Sequence, residues 1–537
     1  MRSKPLFTLM AAVAFTAVSP WRAPAAETPS PERQMSLVDC ITTALERNLD
    51  IQIERYNPLI ADAALRMAYG DYDPQVRMSA SHSFNQDPGG RDAQAREYLG
   101  RVTDSDTFQA SLSGLLPSGM SYNISSFAQD TYGREPFADL TGPTPIVGVR
   151  GFENSRANFM MGELRQPLLR NFWIDGTRLN IRLRTKDLRI TDLNLRLQLI
   201  NTVSAVEQAY YDLIASRENV RSAEIALTLA QKLYQENKKR VEVGALAELD
   251  ERQAQAQMAA SEAALIEARR SVDFTQNVLK NLLSDRFEEW HTVTIVPAES
   301  LQALPVDLDV NEAWNTAFKM RPDLQVSAIE LEKYELNIRY SRNQLYPQLD
   351  VFGAIGWQGS GSEFSDSLGQ VYDGSAPLHS YGGQLTFPLS NRRARESYRS
   401  SKDQRAQAEL RMRQLRQQVM VGVHDAVQQA QASFQRVGAT RAAREFAQDA
   451  LAAEEKKLAN GKSTSFEVLR LQRDLTQARF DETRALTDYN KAMATVRQRE
   501  GSTLLKFNLE TVSGTPSGQV ERWEGDKDFL LWPRSPR

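Results

Sequence analysis

Apolar positions along this 537-residue chain fall into two periods. Val206, Leu213, Val220, Leu227, Tyr234 and Val241 recur every seven residues. Thr202, Ala209, Ser216, Ala223 and Ala230 make a second seven-residue row of small side chains. A repeat near 3.5 residues per turn winds helices into a left-handed supercoil, and small side chains let neighbouring backbones approach closely. The spacing predicts one helix from about Asp175 to Val243, about 105 Å long at about 1.5 Å per residue, far beyond what a compact domain uses. A second such helix carries Ala430, Val437, Leu451 and Leu458 in the bulky row, broken by Arg444, with Ala426, Ser433, Thr440 and Ala447 in the small row. The other faces are rich in Gln, Arg, Glu, Asn and Lys, which favours a wall between two aqueous spaces over a packed core. Gly244 and Gly461 each interrupt a helical pattern that resumes at once, as expected where a left-handed residue closes a helix and the chain turns back.

Between the helical stretches the period is two. Phe108, Ala110, Leu112 and Gly114 alternate with Thr107, Gln109, Ser111 and Ser113, and Met120, Tyr122 and Ile124 alternate with Ser121, Asn123 and Ser125. Val76–Phe84, Leu349–Trp357 and Tyr381–Phe387 alternate likewise, and Ala157–Leu164 less cleanly. Runs of about nine or ten residues suit tilted strands that cross a bilayer with one apolar and one polar face. A half-buried sheet in a soluble protein has the same periodicity. Pro117-Ser118-Gly119 predicts a tight turn, whereas 86–105, 129–156 and 358–380 read as long loops rich in Gly, Asp and Ser.

The sequence also repeats itself. Residues 44–76 match 317–349 without a gap, pairing Asp50 with Asp323 and Pro74-Gln75 with Pro347-Gln348. Residues 203–284 match 420–501, pairing Ala209 with Ala426 and Gly244 with Gly461. The offsets, 273 and 217, differ by 56 residues inserted in the first half between about 77 and 202. The expected organisation is therefore a first half over 26–284, a linker over 285–308, a second half over 309–501 and a loosely ordered tail over 502–537.

Composition narrows the setting. With 41% hydrophobic and 25% charged residues the chain is too polar for a helical membrane protein,. Arg2 and Lys4 precede the apolar run Leu6–Val18, and Ala23-Pro24-Ala25 offers a small-residue cleavage site, so residues 1–25 read as a secretory signal,. Its removal takes the formal charge from −3 to −6, which disfavours a nucleic-acid partner,. An acid before Cys40 argues against a lipid-modified N-terminus. One Cys and four scattered His exclude a disulfide framework and a clustered metal site,. No phosphate loop or Gly-x-Ser-x-Gly nucleophile motif is present, so neither an enzyme nor a cofactor is expected.

In this setting Ala44-Leu45 with Asn48-Leu49, and Ala317 with Arg321-Pro322-Asp323-Leu324, resemble the opening helices of the two halves of the TolC family of outer-membrane efflux and secretion ducts. Gln166-Pro167-Leu168-Leu169 and Phe387-Pro388-Leu389 resemble its strand-to-helix joints, and Arg240-Val241-Glu242-Val243-Gly244 and Leu458-Ala459-Asn460-Gly461 its helix tips. The resemblance implies an α+β membrane protein: duplicated half-repeats build a long periplasmic coiled-coil tunnel joined to a transmembrane β-barrel shared by a homotrimer in outer-membrane lipid. It implies a passive duct of a tripartite efflux pump or type I secretion system, working with a periplasmic adaptor and an inner-membrane RND or ABC transporter. Val243, Gly244, Asn460 and Gly461 would face the adaptor, and Asp250, Glu467 and Arg470 fall at the periplasmic gate. Arg470 stands where the family often has an acid, and Ser463 where a basic partner can sit. The family's four strands per protomer give a twelve-stranded barrel. The additional hairpin at 106–128 leaves four or six strands per chain open. A periplasmic coiled-coil adaptor or scaffold without a barrel would share the signal and the heptads.

Overall fold

The computed structural model describes residues 32–91, 95, 97–139, 146–244 and 246–509. The expected signal over 1–25 and the tail beyond 509 lie outside these residues. The chain opens with β1 (Glu32–Met35), α1 (Leu37–Arg47) and α2 (Leu49–Tyr69). Ser36 and Asp39 cap α1 reciprocally, and the Asn48 side chain accepts the Ile51 N–H to start α2,. Six strands follow: β2 (Gln75–Gln86), β3 (Gly90–Arg91), β4 (Glu97–Tyr98), β5 (Val102–Leu115), β6 (Ser121–Asp139) and β7 (Ile146–Pro167). The first long hairpin is α3 (Gly176–Glu242) and α4 (Glu248–Leu283).

The second half follows through α5 (Phe287–Trp290), β8 (Thr294–Pro297), α6 (Val310–Met320) and α7 (Pro322–Asn343). Then come β9 (Gln348–Gly361), α8 (Phe364–Tyr372), β10 (Pro377–Thr386), the second long hairpin α9 (Arg392–Ala459) and α10 (Ser465–Glu500), and α11 (Thr503–Lys506). The 67 residues of α3 match the span expected from the heptads, with Asp175 as N-cap accepting from Arg178 N–H and Val243 as C-cap.

The helices form a layer four wide at each height. Nearer the sheet, α2 packs on α3, α3 on α7 and α7 on α9; Lys333 Nζ reaches Asp187 at 2.5 Å and Arg405 reaches Glu335 at 3.2 Å. Farther away, α4 packs on α3, α3 on α10 and α10 on α9. The α3–α10 contact carries Lys491 to Asp212 at 2.8 Å and Arg497 to Glu207 at 2.6 Å. Because α3 has a neighbour on each side, its small row is fully covered: Thr202, Ala209, Ser216, Ala223 and Ala230 are 6% exposed or less. Val220, Leu227, Tyr234 and Val241 of the bulky row are only half-buried. In α9 the bulky row is covered at Ala430, Val437, Leu451 and Leu458, and the small row is buried at Ala426 and Ser433 and half-buried at Thr440 and Ala447. Arg444, which interrupts that row, donates to Glu482 on α10 at 2.6 Å.

Midway along the helices a separate core forms where β1 pairs in parallel with β8. Ile41, Ile51, Val206, Tyr210, Leu279, Leu283 and Ile295 meet there. Glu207 is completely buried in this core, held by Arg497 and by Lys506 of α11 at 3.0 Å. Burial holds the Lys506 pKa below its ordinary value. The first residues of the expected loose tail are thus ordered, because Leu504 is buried and Lys506 is drawn to a desolvated carboxylate. A leucine in place of Ala223 overfills the close α3 contact and should cost about 1–3 kcal/mol. Thermal unfolding of the purified protein should show a lowered transition for Ala223→Leu and little change for Leu227→Met in the half-buried row.

Candidate functional site: an amphipathic wall and a hairpin tip

Six strands join in one antiparallel sheet ordered β10-β9-β7-β6-β5-β2. Opposed residues in such a sheet share a face, so the register divides the wall. One face carries Val76 and Met78 of β2, Leu112 of β5, Val351 and Ile355 of β9 and Tyr381 of β10; Met78 is 78% and Tyr381 87% exposed. The other carries Arg77, Ser79, Gln109, Ser111, Asn123 and Gln384. On it Arg165 of β7 bridges Asp350 of β9, at 3.1 Å, and Gln384 of β10. Along β9 the apolar face runs from Leu349 to Trp357, about 20–25 Å of height for a strand tilted by about 40°, which is the thickness a lipid-facing band needs. Above it the same face becomes charged: His82 lies 2.8 Å from Asp106, which also accepts from the Tyr132 hydroxyl at 3.3 Å.

The β9–β10 connection crosses this upper rim as α8. Ala128, Ala157 and Gly359 stand side by side across β6, β7 and β9 and leave room for it. The Ser367 and Ser155 hydroxyls meet at 2.8 Å beneath the helix, and Phe364 reaches Phe108 of β5 with ring centroids 6.5 Å apart. The expected loop over 358–380 therefore contains a helix. Most of the expected loop over 129–156 is strand, because the β6–β7 ladder continues to the Asp139–Ile146 pair. The segment 86–105 holds the small β3–β4 ladder.

At the far end of the stem the hairpins turn at Gly244 and Gly461, with φ of +73° and +71°. Both are left-handed, as the interrupted helical pattern requires, and a Cβ at either would meet nothing within 4 Å. Val243, Gly244, Asn460 and Gly461 are exposed. The small row of α3 ends seven residues past Ala230 in Asn237, which is 1% exposed. Asn237 donates to the Asp250 carbonyl at 3.3 Å and accepts from the Ser465 hydroxyl at 3.0 Å. It ties α3 to the start of α4 and to the opposite hairpin at once. Sequence reasoning passed over it, although its place in the heptad row marks it as an inward-facing polar side chain that must find partners.

Glu454 occupies the equivalent place in α9 and accepts from Lys457 at 2.7 Å and from the Ser463 hydroxyl at 2.5 Å. These bonds, Lys457 first, hold its carboxyl below the ordinary 4.5. Asp250 and Glu467 sit at matching positions in the first turns of α4 and α10. The Asp250 carboxylate forms no ion pair among the described residues, whereas Glu467 pairs with Arg470 one turn along at 2.8 Å. Within one chain these three residues are not brought into a single link. No group of His, Cys, Asp or Glu among the described residues could hold a metal, and no described helix is long and apolar enough to cross a membrane.

A strand wall with one lipid-compatible face, carried on a stem of paired helical hairpins, defines an outer-membrane duct component. The chain belongs to the outer membrane efflux protein family, whose sequence profile matches residues 164–284 and 314–502. No protein of curated function matches it. Among solved structures, the Campylobacter jejuni CmeC outer membrane channel is similar at 15% identity and a TM-score of 0.61, over 92% of this chain and 90% of that one. The outer membrane protein VceC of Vibrio cholerae is similar at 16% identity and 0.60, over 87% and 96%. The Neisseria gonorrhoeae MtrE channel in its open state is similar at 16% and 0.59, over 87% and 89%. At these identities the likeness is one of fold. Family membership places the protein in the outer membrane with its helical stem in the periplasm, as an efflux channel. A periplasmic adaptor without a barrel does not account for the amphipathic sheet.

Two outcomes are expected at the tip. Asn237→Ala leaves the Ser465 hydroxyl without its acceptor and the Asp250 carbonyl without its donor, at a cost of about 1–3 kcal/mol. Hydrogen exchange should then rise at 246–250 and 463–468 while the sheet keeps its protection. A depressed carboxyl pKa contributes stability that is present above the unfolded value and is lost as pH falls through the folded one. The α9–α10 turn should therefore loosen only in acid below about pH 4.5, and Glu454→Gln should remove that acid transition in the same exchange measurement.

Proposed function

We propose that three copies of this chain close into one channel, the exit duct of a tripartite efflux pump or type I secretion system, passive in itself and gated at its periplasmic helix tips. The observation that carries this reading is the position of the open edges. The sheet ends in β2 on one side and β10 on the other. The helical layer ends in α2 and α4 on the side of β2, and in α9 on the side of β10. Both flanks expose apolar side chains: Leu49, Ile53, Tyr56, Ile60 and Met67 form a stripe on α2, and Leu410 and Val421 lie on α9. A seam between copies would cover both layers together, and a lipid-embedded sheet cannot keep free edges.

The energy for transport comes from an inner-membrane RND or ABC transporter reached through a periplasmic adaptor, since the sequence carries no Gly-rich phosphate loop followed by Lys-Ser/Thr,. Residues 1–25 direct export and are removed. The exposed turns at Val243-Gly244 and Asn460-Gly461 receive the adaptor. Asp250 and Glu467, repeated once per half, place acidic rings at the closed end when three copies converge. Glu467 is already engaged by Arg470, so Asp250 carries the larger share.

Extraction from outer membranes should yield a heat-modifiable trimer; a water-soluble monomer would contradict the reading. In planar bilayers Asp250→Ala should change single-channel conductance or cation block more than Glu467→Ala, and unaltered currents in both would remove their gate role. Bulky residues at both Gly244 and Gly461 should abolish transport while leaving the trimer intact. Normal transport by that double variant would argue against docking at the turns.

A further inference from the structure

We propose that all six strands of each chain enter the membrane wall, so that three copies close an eighteen-stranded barrel rather than a twelve-stranded one; this rests on the trimeric duct just described. The additional hairpin, β5 and β6, is not an appendage on the sheet. It stands between β2 and β7, with β5 paired to β2 from Gln75 to Gln86 and β6 paired to β7 almost throughout. Removing it from the wall would break both ladders and leave two further edges in lipid, where an unpaired backbone group costs several kcal/mol. The hairpin also obeys the faces of its neighbours, with Ala110 and Leu112 on the apolar side and Gln109 and Ser111 on the polar side. At the upper rim α8 ties it down, reaching from β9 across β7 to Phe108 of β5.

The widths of the two layers support the same count. Four helices at an interaxial spacing of about 9 Å cover about 36 Å of circumference. Strands about 4.8 Å apart and tilted by about 40° each occupy about 6.3 Å of rim, so six cover about 38 Å and four only about 25 Å. Six strands therefore sit on four helices with little change of radius. The joins agree with this: β2 follows α2, β7 leads into α3, β9 follows α7 and β10 leads into α9, while the β5–β6 turn at Pro117-Ser118-Gly119 fills the gap between β2 and β7. The strand count is even, so β10 of one copy meets β2 of the next antiparallel and the ladder continues around the ring. Because barrel diameter grows roughly linearly with strand number, the bore through the outer membrane is about 1.5 times as wide as a twelve-stranded one.

Single-particle imaging of the full-length protein in lipid nanodiscs tests this. Threefold particles with eighteen wall strands are expected, with β10 paired to β2 of the adjoining copy. Threefold particles with twelve wall strands and the β5–β6 hairpin outside would overturn the inference and leave the trimeric duct standing. Particles with any other number of copies would overturn both. A second measurement does not depend on imaging. The native Cys40 is buried, so a charged thiol reagent should lower single-channel current in Ser111→Cys and leave it unchanged in Ala110→Cys. Equal behaviour of the two would contradict a place in the wall.

Discussion

Every other feature of this molecule answers to one requirement: a backbone placed in hydrocarbon must find all its hydrogen-bond partners in protein. A six-stranded sheet satisfies its inner strands and leaves β2 and β10 each with an unpaired side. Both edge strands are long and nearly fully exposed, and Arg77 of β2 is the one Lys or Arg on either of them,. Such edges persist only where another strand completes them, so the chain is built as one segment of a closed wall.

The stem obeys a matching rule in a different solvent. Its outer and inner surfaces are both aqueous, so only the contacts between neighbouring helices are dry, and the sequence devotes narrow heptad rows to them rather than a broad apolar stripe. Where a helix has two neighbours, as α3 does, the small row is covered throughout, while the bulky row is buried at Val206 and Leu213 and half-covered from Val220 onward. Where it has one, as α9 does, burial thins and a flank remains open. The polar ends of the small rows, Asn237 and Glu454, convert the last dry position into hydrogen bonds that secure the turns. A gate at those turns would move elements held by these polar bonds together with a small apolar cluster of Leu233, Leu458, Val468 and Leu469.

Much of this was legible in the sequence because each strong pattern had one physical cause. The seven-residue rows and the caps at Asp175 and Val243 define α3 to within a residue, and Gly244 and Gly461 mark the turns because only a left-handed residue closes a helix so abruptly. The strands were legible only inside the lipid band. Above it Asp104, Asp106, Asp130 and Glu153 share the face that is apolar below, so the alternation vanishes while the ladder continues, and strand was read as loop. Helix α8 was missed because Phe364, Ser367 and Gln370 find their partners on β5, β7 and β9, contacts that no local periodicity announces. Asp250, Glu467 and Arg470 lie beside the two turns, where Glu467 pairs with Arg470 one turn along, but pairings that reach the opposite hairpin leave no trace in any local pattern. Ser465 with Asn237 is the clearest instance, two residues 228 positions apart.

The central claim is that the two free edges of this sheet are closed by further copies of itself. Amide hydrogen exchange on the membrane-embedded protein measures it directly. Protection across β2 and β10 equal to that of β5 and β9 is the predicted result; rapid exchange confined to β2 and β10 would mean that the edges stay open and would contradict the account.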